Sequence, residues 1–553
     1  MSASHATEKG PPTIESKVSS DYEQGAAHSI GSGSQHLQRK LGVKEVQLFA
    51  LSAAIGTSIF VSIGTALPRA GPAGLLIGFA IWGACALCVN ECYGEMVTYL
   101  PVPSATITFA SKWVDGALGF AMGWNYFLNM ALLVPFEIVA LSLMIQYWTD
   151  VMPAAAVVVI MMVIYLILNI VSVSWFGAAE FYIGIFKVLL VLGLTLYTFI
   201  TMVGGNPHHD VYGFRNWNNP GAFAEYLVSG PSGRFCGIVA AMVQAGFTIC
   251  GPEYLGMVAA ETHNPRKVIR RAFKTFLTRV LLFFVGGALC IGIVLPYNDP
   301  TLVRLRSEGI STGAASPYVI SMQNLGIAGL GSVVNAGIMI SLVSAGNALL
   351  FSATRTLHGM AIDGKAPRLL AHCTKNGIPI WALFTSLSVC LLGLLQVSES
   401  SAQVMNYLVI LITANQLLNH FSVSLTYIHF YRAMKAQGVD RNSLPYKGRF
   451  QPYTSYIAVT STAMLTLLLG FDLFVDMPNN WSIKYFLLDY AMLAVYAVLF
   501  VSWKLIKKTK YLTPMEVDLG LGEAKNEIDS YEMMLEEKPV GRLEKVLLKI
   551  VPM

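Results

Sequence analysis

The sequence predicts an all-α membrane protein with about twelve transmembrane helices, built from two inverted repeats of five helices plus two further helices. Three observations support this prediction. Hydrophobic residues make up 54% of the 553-residue chain and charged residues only 12%, whereas soluble domains carry about 25% charged residues. Apolar runs long enough to cross a bilayer recur along most of the chain. Two of these runs, five spans apart, are interrupted near their middle, which is typical of inverted-repeat transporters.

The first apolar run covers residues 48–68 and contains no charged residue. Eleven further runs follow, each close to or above the ~20 residues that a spanning helix needs. They lie at 74–98, 116–148, 153–173, 181–204, 234–260, 275–297, 329–358, 379–397, 402–431, 454–476 and 484–507.

Basic residues are concentrated in alternate loops, which predicts the orientation of the chain. The basic clusters lie at 266–274, 355–375, 432–449 and 504–510, and the intervening loops carry few positive charges. The positive-inside rule places the basic loops in the cytoplasm, and an even number of spans then places both termini there. Three regions are expected: a disordered cytoplasmic tail at 1–40, a polytopic membrane domain at 41–510 and a cytoplasmic C-terminal tail at 511–553.

Composition argues against several other classes of protein. The net charge of +5 is explained by the membrane loops, so no nucleic-acid partner is expected. Cys85, Cys88 and Cys92 share a helix face but are interpreted as small apolar residues rather than metal ligands. No metal or cofactor is expected. The partners expected instead are the lipid bilayer and, at the tails, a ubiquitin ligase or trafficking factors. Lys9 and Lys17 are candidates for a regulatory modification, and an unmodified solvated tail is the alternative.

The first span has a weak point at its midplane. Gly56, Thr57 and Ser58 follow Ile55 in the middle of this run. Gly costs about 1 kcal/mol relative to Ala in a helix, and Ser and Thr compete for backbone hydrogen bonds. Such a break is tolerated only where it is buried in protein or lines a cavity. Contact between helices through small residues is the alternative explanation.

The sixth span is interrupted in the same way. Gly246, Gly251 and Pro252 fall near its middle, and proline removes a backbone hydrogen bond from a helix. Two broken helices can supply donors for a substrate carboxylate and acceptors for its ammonium group. Within predicted spans the ionisable candidates are Glu137, Lys187 and Glu253, because charged groups at this depth are functional by default. For Glu253 the alternative is a structural acid that satisfies the loose helix ends, and for Lys187 it is snorkelling from the end of the span.

The chain resembles fungal amino-acid permeases of the amino acid–polyamine–organocation superfamily, within the yeast amino-acid transporter group. The resemblance runs from about residue 41 to 518. The segments that carry it are IGTSIF in span one, GEM followed by Pro101, Trp124 to Glu137, Gly251-x-Glu253, Glu261 to Lys267, and SATRTLHGMAIDGKAP around the inner end of span eight. Tyr297 to Pro300 and Ala314 to Pro317 resemble the dicarboxylic branch.

This resemblance implies a leucine-transporter-type fold, ten core helices plus two, and proton-coupled amino-acid uptake at the plasma membrane. It implies that Ile55, Gly56, Thr57 and Ser58 hold the substrate carboxylate. The span-six groups Phe247, Thr248, Ile249, Gly251 and Glu253 are implied to receive the ammonium group and side chain. Lys187 stands where related proton-coupled transporters carry a lysine in place of sodium, and Lys187 and Glu137 are the candidate proton-coupling residues.

The residues point to more than one class of amino-acid substrate. Acidic amino acids follow from the dicarboxylic likeness, but Glu137 resembles the acid of general and basic permeases and would repel a second carboxylate unless it is protonated. A broad, neutral or basic permease is the alternative, as is a receptor on the same fold that binds amino acid without moving it. A channel lacks the required polar stripe, and an enzyme lacks a catalytic constellation in the loops.

Overall fold

The computed structural model describes residues 55–149, 151–171, 173–259, 262, 264–307, 316–374, 377–475 and 477–537. The predicted N-terminal tail at 1–40, the start of the first span and the last sixteen residues of the C-terminal tail lie outside these ranges. Every regular element within them is a helix.

The first half of the described chain begins with a π-helical turn at Ser58–Ser62. The helices that follow are α1 (Ile63–Thr65), α2 (Leu67–Tyr99), α3 (Ala105–Phe109), α4 (Gly116–Ile145), α5 (Ala154–Val171), α6 (Val173–Met202), α7 (Arg215–Asn218), α8 (Gly230–Thr248), α9 (Pro252–Val258), α10 (Pro265–Lys274), α11 (Phe276–Arg279) and α12 (Gly286–Val294). Two more π-helical turns lie at Ala110–Val114 and Val280–Val285.

The second half contains α13 (Pro300–Ser307), α14 (Pro317–Asn324), α15 (Ala328–Ile362), α16 (Ile380–Val389), α17 (Ser401–Ala436), α18 (Tyr453–Leu467), α19 (Phe471–Phe474), α20 (Ile483–Lys507) and α21 (Ala524–Glu537). Short 3₁₀ helices lie at Arg368–Ala371, Cys390–Val397 and Arg441–Ser443.

Within the described ranges, nine helical segments are long and apolar enough to cross a membrane. The three other predicted spans differ for separate reasons. The first begins outside the described residues, and α5 offers only a shorter apolar helix, Ala154–Ile170. The span predicted at 454–476 ends as a helix at Leu467 and resumes as α19 after Gly470. An all-helical, multi-span membrane fold is nevertheless confirmed.

A loop crosses the start of α2 at Gly71. This residue has a φ of +70°, and a Cβ there would lie 2.5 Å from the backbone nitrogen of Ala224. The Ala224 amide donates to the Ala70 carbonyl at 3.2 Å, and the Ala73 amide donates to Ala222 at 2.9 Å. Glycine is therefore required here both for its conformation and for the close approach. The crossing holds the loop between α7 and α8 against the helix bundle.

Helix α4 runs through the centre of the bundle, and its start is fixed by Asp115. The Asp115 carboxylate caps the helix by accepting from the Ala117 amide at 2.8 Å, and it also binds Lys504 and Thr509. Burial alone would raise the pKa of Asp115, but these hydrogen bonds outweigh it and lower that pKa. The capped, ionised carboxylate therefore ties α4 to the end of α20 at neutral pH.

The described part of the C-terminal tail packs against the face that carries the basic loops, which we call the basic face. The Trp113 indole donates to the Asp518 carbonyl at 3.0 Å, and the Gln437 amide donates to the Val517 carbonyl at 2.7 Å. Arg266, at the start of α10, lies 2.6 Å from Asp529 in α21. The tail therefore contacts three separate loops of this face.

Candidate substrate and proton site

The first break begins at the start of the described chain. Ile55 and Gly56 are bends, and the helix that follows is wound as a π-helix from Ser58. The Ile55 carbonyl accepts from the Ser341 hydroxyl of α15 at 3.1 Å instead of completing a helical bond. A neighbouring helix thus satisfies a backbone group that the Gly-Thr-Ser segment leaves free, as a break at this depth requires.

The Glu137 carboxylate occupies the donors of this break. The Thr57 hydroxyl donates to Glu137 Oε2 at 2.6 Å, and the Thr57 amide donates to Oε1 at 3.4 Å. Gly56 permits the approach, because a Cβ there would lie 2.6 Å from Glu137 Oε1 and 3.3 Å from the Ala345 Cβ. The free donors of the broken helix therefore bind a carboxyl group, as expected for such donors, and here that group belongs to the protein itself.

The second break separates α8 from α9. After Thr248, Ile249 is extended, and Gly251 adopts a φ of +140° before Pro252 starts α9. Proline suits the first turn of a helix because it lacks the amide that would remain unbonded there. The Thr248 hydroxyl donates to the Gln244 carbonyl within α8 at 2.8 Å, and the Ile249 side chain reaches towards Gly83 of α2.

Two consecutive residues of α4 connect the breaks. Phe136 packs edge-on against Phe247 at the end of α8, with ring centroids 5.1 Å apart, and Glu137 binds Thr57. Both α4 residues are buried. The structure thereby brings Gly56, Thr57, Phe247 and Glu137 together in one region.

Glu253 instead faces α17. It is buried, and its Oε1 accepts from the Gly251 amide at 3.0 Å and from the Gln416 amide at 2.9 Å. His420 Nε2 lies 3.6 Å from Glu253 Oε2, and Asn129 of α4 donates to Gln416 Oε1 at 2.6 Å. This acid therefore fixes the geometry of the second break through a buried polar network with α17 and α4.

Sequence reasoning did not identify Gln416 and His420 as partners of Glu253. Their spacing of four residues places them on one face of a helix, and both lie within a predicted apolar span. Two polar residues on one face of such a span indicate a buried polar contact. The pattern does not show which other helix provides it.

Replacing Glu253 with glutamine is expected to reduce initial uptake at least tenfold. The glutamine amide would turn an NH₂ group towards donors that now face a carboxylate, which leaves buried groups unsatisfied at about 1–3 kcal/mol each. Uptake per surface-expressed molecule measures the effect. Glu225→Gln is the matched control, since Glu225 is exposed and its one ion pair among the described residues is with Arg234 at 3.5 Å. Unchanged uptake in Glu253→Gln would refute a role for this acid in transport.

Lys187 is fully buried in α6 and forms an ion pair within its own helix. Its Nζ lies 3.8 Å from Glu180 Oε1, and Glu180 Oε2 accepts from the Ser344 hydroxyl at 2.7 Å. Glu180 precedes the span predicted at 181–204 by one residue and was not among the predicted site residues. The spacing of seven residues, two helical turns, indicates that Glu180 and Lys187 share a face.

A cavity of about 600 Å³ lies between the two breaks and the face opposite the basic one. Near the breaks its lining includes Val61, one turn after Thr57, and Gln244, one turn before Thr248. At the other end it includes Tyr226 and Asn480, which belong to the opposite loops. The cavity thus provides room for a small solute above the candidate site.

The sequence matches known proteins over most of its length. The family model described as amino acid permease matches residues 45–513. The chain belongs to the amino acid permease family. It is 40% identical to the general amino acid permease AGP2 of Saccharomyces cerevisiae over 504 residues, covering 90% of this chain and 84% of that protein.

Two further relatives carry other specificities in their names. The dicarboxylic amino acid permease of the same yeast is 36% identical over 487 residues, or 87% of this chain and 79% of that protein. The proline-specific permease of Emericella nidulans is 35% identical over 513 residues, or 92% of both. The predicted resemblance is confirmed: this chain is a multi-pass amino-acid transporter and not an enzyme. The names of these three relatives span general, proline and dicarboxylic specificity.

Proposed function

We propose that this permease moves amino acids together with protons across the plasma membrane by alternating access, with the basic face in the cytoplasm. The observation that supports the proposal is the Glu137 carboxylate bound to the donors of the first break. A group that can exchange a proton for its contact with Thr57 is placed where the carboxylate of an amino acid is expected to bind.

In this proposal a zwitterionic substrate uses both breaks. Its carboxylate takes the backbone amides and hydroxyl around Gly56, Thr57 and Ser58. Its ammonium group takes the carbonyl groups left free where α8 ends, around Phe247 and Thr248, because the last carbonyls of a helix have no partner within it. Phe136 and Phe247 form the apolar boundary between the two ends of the ligand.

Glu137 couples the movement of the proton to that of the substrate. While it is ionised, it competes with the substrate carboxylate for the donors of Thr57 and repels it. A proton arriving from the opposite face neutralises Glu137, weakens its hold on Thr57 and admits the substrate. Release of both towards the cytoplasm lets Glu137 return to Thr57. The buried Lys187–Glu180 pair on α6 supplies the fixed charges near this exchange.

The dicarboxylic resemblance and the charges of the cavity lining favour different substrates. Acidic amino acids were expected from the dicarboxylic resemblance, and a dicarboxylic permease is among the relatives. The cavity lining argues for the alternative of neutral or basic amino acids, because it carries Asp472 and Asp489 against one cation, Arg69.

Competition uptake tests the proposal. The full chain is expressed in yeast lacking its own permeases, and uptake of labelled alanine, arginine and glutamate is challenged with unlabelled amino acids at pH 5 and pH 7. We expect the cells to accumulate amino acid against its concentration gradient, and to do so more strongly at pH 5 than at pH 7. A protonophore, which collapses the proton gradient, should abolish this accumulation. Accumulation that survives the protonophore would refute proton coupling. If the surface-expressed protein binds amino acid but does not take it up, the alternative of a non-transporting receptor on the same fold is favoured.

A further inference from the structure

Three charged side chains line the cavity above the breaks, and none of them forms an ion pair with another charged group in the described part of the chain. They are Asp472 of α19, Asp489 of α20 and Arg69 of α2. We infer that this cavity is a binding site for basic amino acids, in which the two aspartates receive the two cationic groups of the ligand. The inference rests on the proposed function, amino-acid uptake, and specifies its substrate class.

Asp489 is the most deeply buried of the three charged residues. Helix α20 is otherwise largely exposed, with Leu487 61% and Val498 66% exposed, yet Asp489 is only 6% exposed. It lies against Gly470, where a Cβ would come within 2.9 Å of Asp489 Oδ2. Within the described residues its carboxylate has neither a hydrogen bond nor an ion pair. The residue is buried but its carboxylate lines the cavity, and within a membrane span such a group indicates function.

A second unpartnered group of opposite character lines the same cavity. The Gln244 side chain is 9% exposed, and its Nε2 donor has no hydrogen-bond partner in the described structure. The Arg69 guanidinium lies over the Tyr226 ring, 5.7 Å from its centroid, and its Nε is likewise unbonded. Donors for a carboxylate and acceptors for cations are therefore both available, and within the described residues neither set forms a hydrogen bond or an ion pair.

The signs of these charges select the ligand. Two carboxylates and one guanidinium complement a solute with two cationic groups and one carboxylate, which describes a basic amino acid at neutral pH. A neutral amino acid would leave one aspartate without a counter-charge. An acidic amino acid would bring two carboxylates to two aspartates, which is unfavourable in a partly desolvated cavity.

The position of the cavity places this binding step before transport. Gln244 and Val61 lie within one or two turns of the two breaks, while Glu137 still occupies the donors of Thr57. A basic amino acid would bind first in the cavity and move to the breaks when Glu137 releases them. Asp472 and Asp489 come from α19 and α20, outside the ten-helix core implied by the family resemblance, so the last two helices would set charge selectivity.

Arginine and citrulline test this inference, because they have nearly the same shape and differ by one charge. Equilibrium binding of labelled arginine to the purified full-length permease is measured with unlabelled arginine, citrulline, glutamine and glutamate as competitors. We expect arginine to bind at least tenfold more tightly than citrulline, and glutamate to bind most weakly. Asp489→Asn should reduce the ratio of arginine to citrulline affinity at least fivefold while changing citrulline affinity less than twofold, and Asp472→Asn should act in the same direction.

Glu225→Gln is the control, because it removes an acidic charge from the same face without touching the cavity, and it should leave the ratio unchanged. A wild-type ratio near one, tightest binding of glutamate, or an unchanged ratio in both aspartate variants would overturn the inference. If the variants do not fold, the wild-type ratio alone decides. Uptake of citrulline without preference for arginine would refute the inference but leave the proposed function standing, whereas absence of amino-acid binding would refute both.

Discussion

Replacing Glu137 with glutamine is expected to abolish accumulation of amino acid against a gradient, with a loss of at least tenfold, while exchange of internal for external substrate continues. Glutamine has nearly the same size but cannot bind and release a proton. It imitates the neutral acid, so the donors of Thr57 stay available to substrate at every pH. Exchange should therefore lose its dependence on external pH between 5 and 7, a dependence that the wild-type protein should show.

The measurement uses purified protein in liposomes, where internal substrate, pH and membrane potential are set independently. Thr57→Ser is the matched control, since it keeps the hydroxyl that donates to Glu137 Oε2 and should behave like the wild type. Thr57→Val removes that donor at nearly constant volume and should weaken both substrate binding and coupling, because Glu137 and the substrate carboxylate compete for this hydroxyl. Persistent pH-driven accumulation by Glu137→Gln would show that the proton is carried elsewhere.

The weak points of both broken helices were visible in the sequence because their causes are local. Gly56, Thr57 and Ser58 destabilise a helix by their own chemistry, and Gly251 and Pro252 do so even more strongly. The structure places bends and a π-helical turn at the first site. At the second site Ile249 is extended and Gly251 has a positive φ. The predicted roles of these residues in substrate binding stay predictions, as do the coupling roles of Glu137 and Lys187.

The partners of the buried charges could not be predicted in the same way. Hydrophobic periodicity identifies which residues lie within a span, but it does not say which helices face each other. Glu137 therefore stood out as an acid within a span, whereas its contact with Thr57, eighty residues earlier, depends on the packing of α4. The same applies to Glu253 and His420, which come from α9 and α17.

Replacing Lys187 with methionine is expected to destabilise the protein and to abolish accumulation. Removing one partner of a buried ion pair costs about 3–5 kcal/mol, because the remaining charge stays buried without its counter-charge. Glu180 would retain the hydrogen bond from Ser344 but lose the ammonium group. The midpoint of thermal aggregation in detergent should fall, and accumulation in liposomes should fall at least tenfold.

A single variant does not separate a structural role of Lys187 from a role in coupling, but a double variant does. In Lys187→Met with Glu180→Gln no charge remains at the pair, and replacing a whole buried ion pair with neutral groups is often close to neutral for stability. We expect the aggregation midpoint to recover towards the wild-type value while accumulation remains lost. Ser344→Ala, which removes only the hydrogen bond to Glu180, should leave accumulation intact. Recovery of accumulation together with stability in the double variant would show that the Lys187–Glu180 pair only holds α6 in place, and coupling would then rest on Glu137 without it.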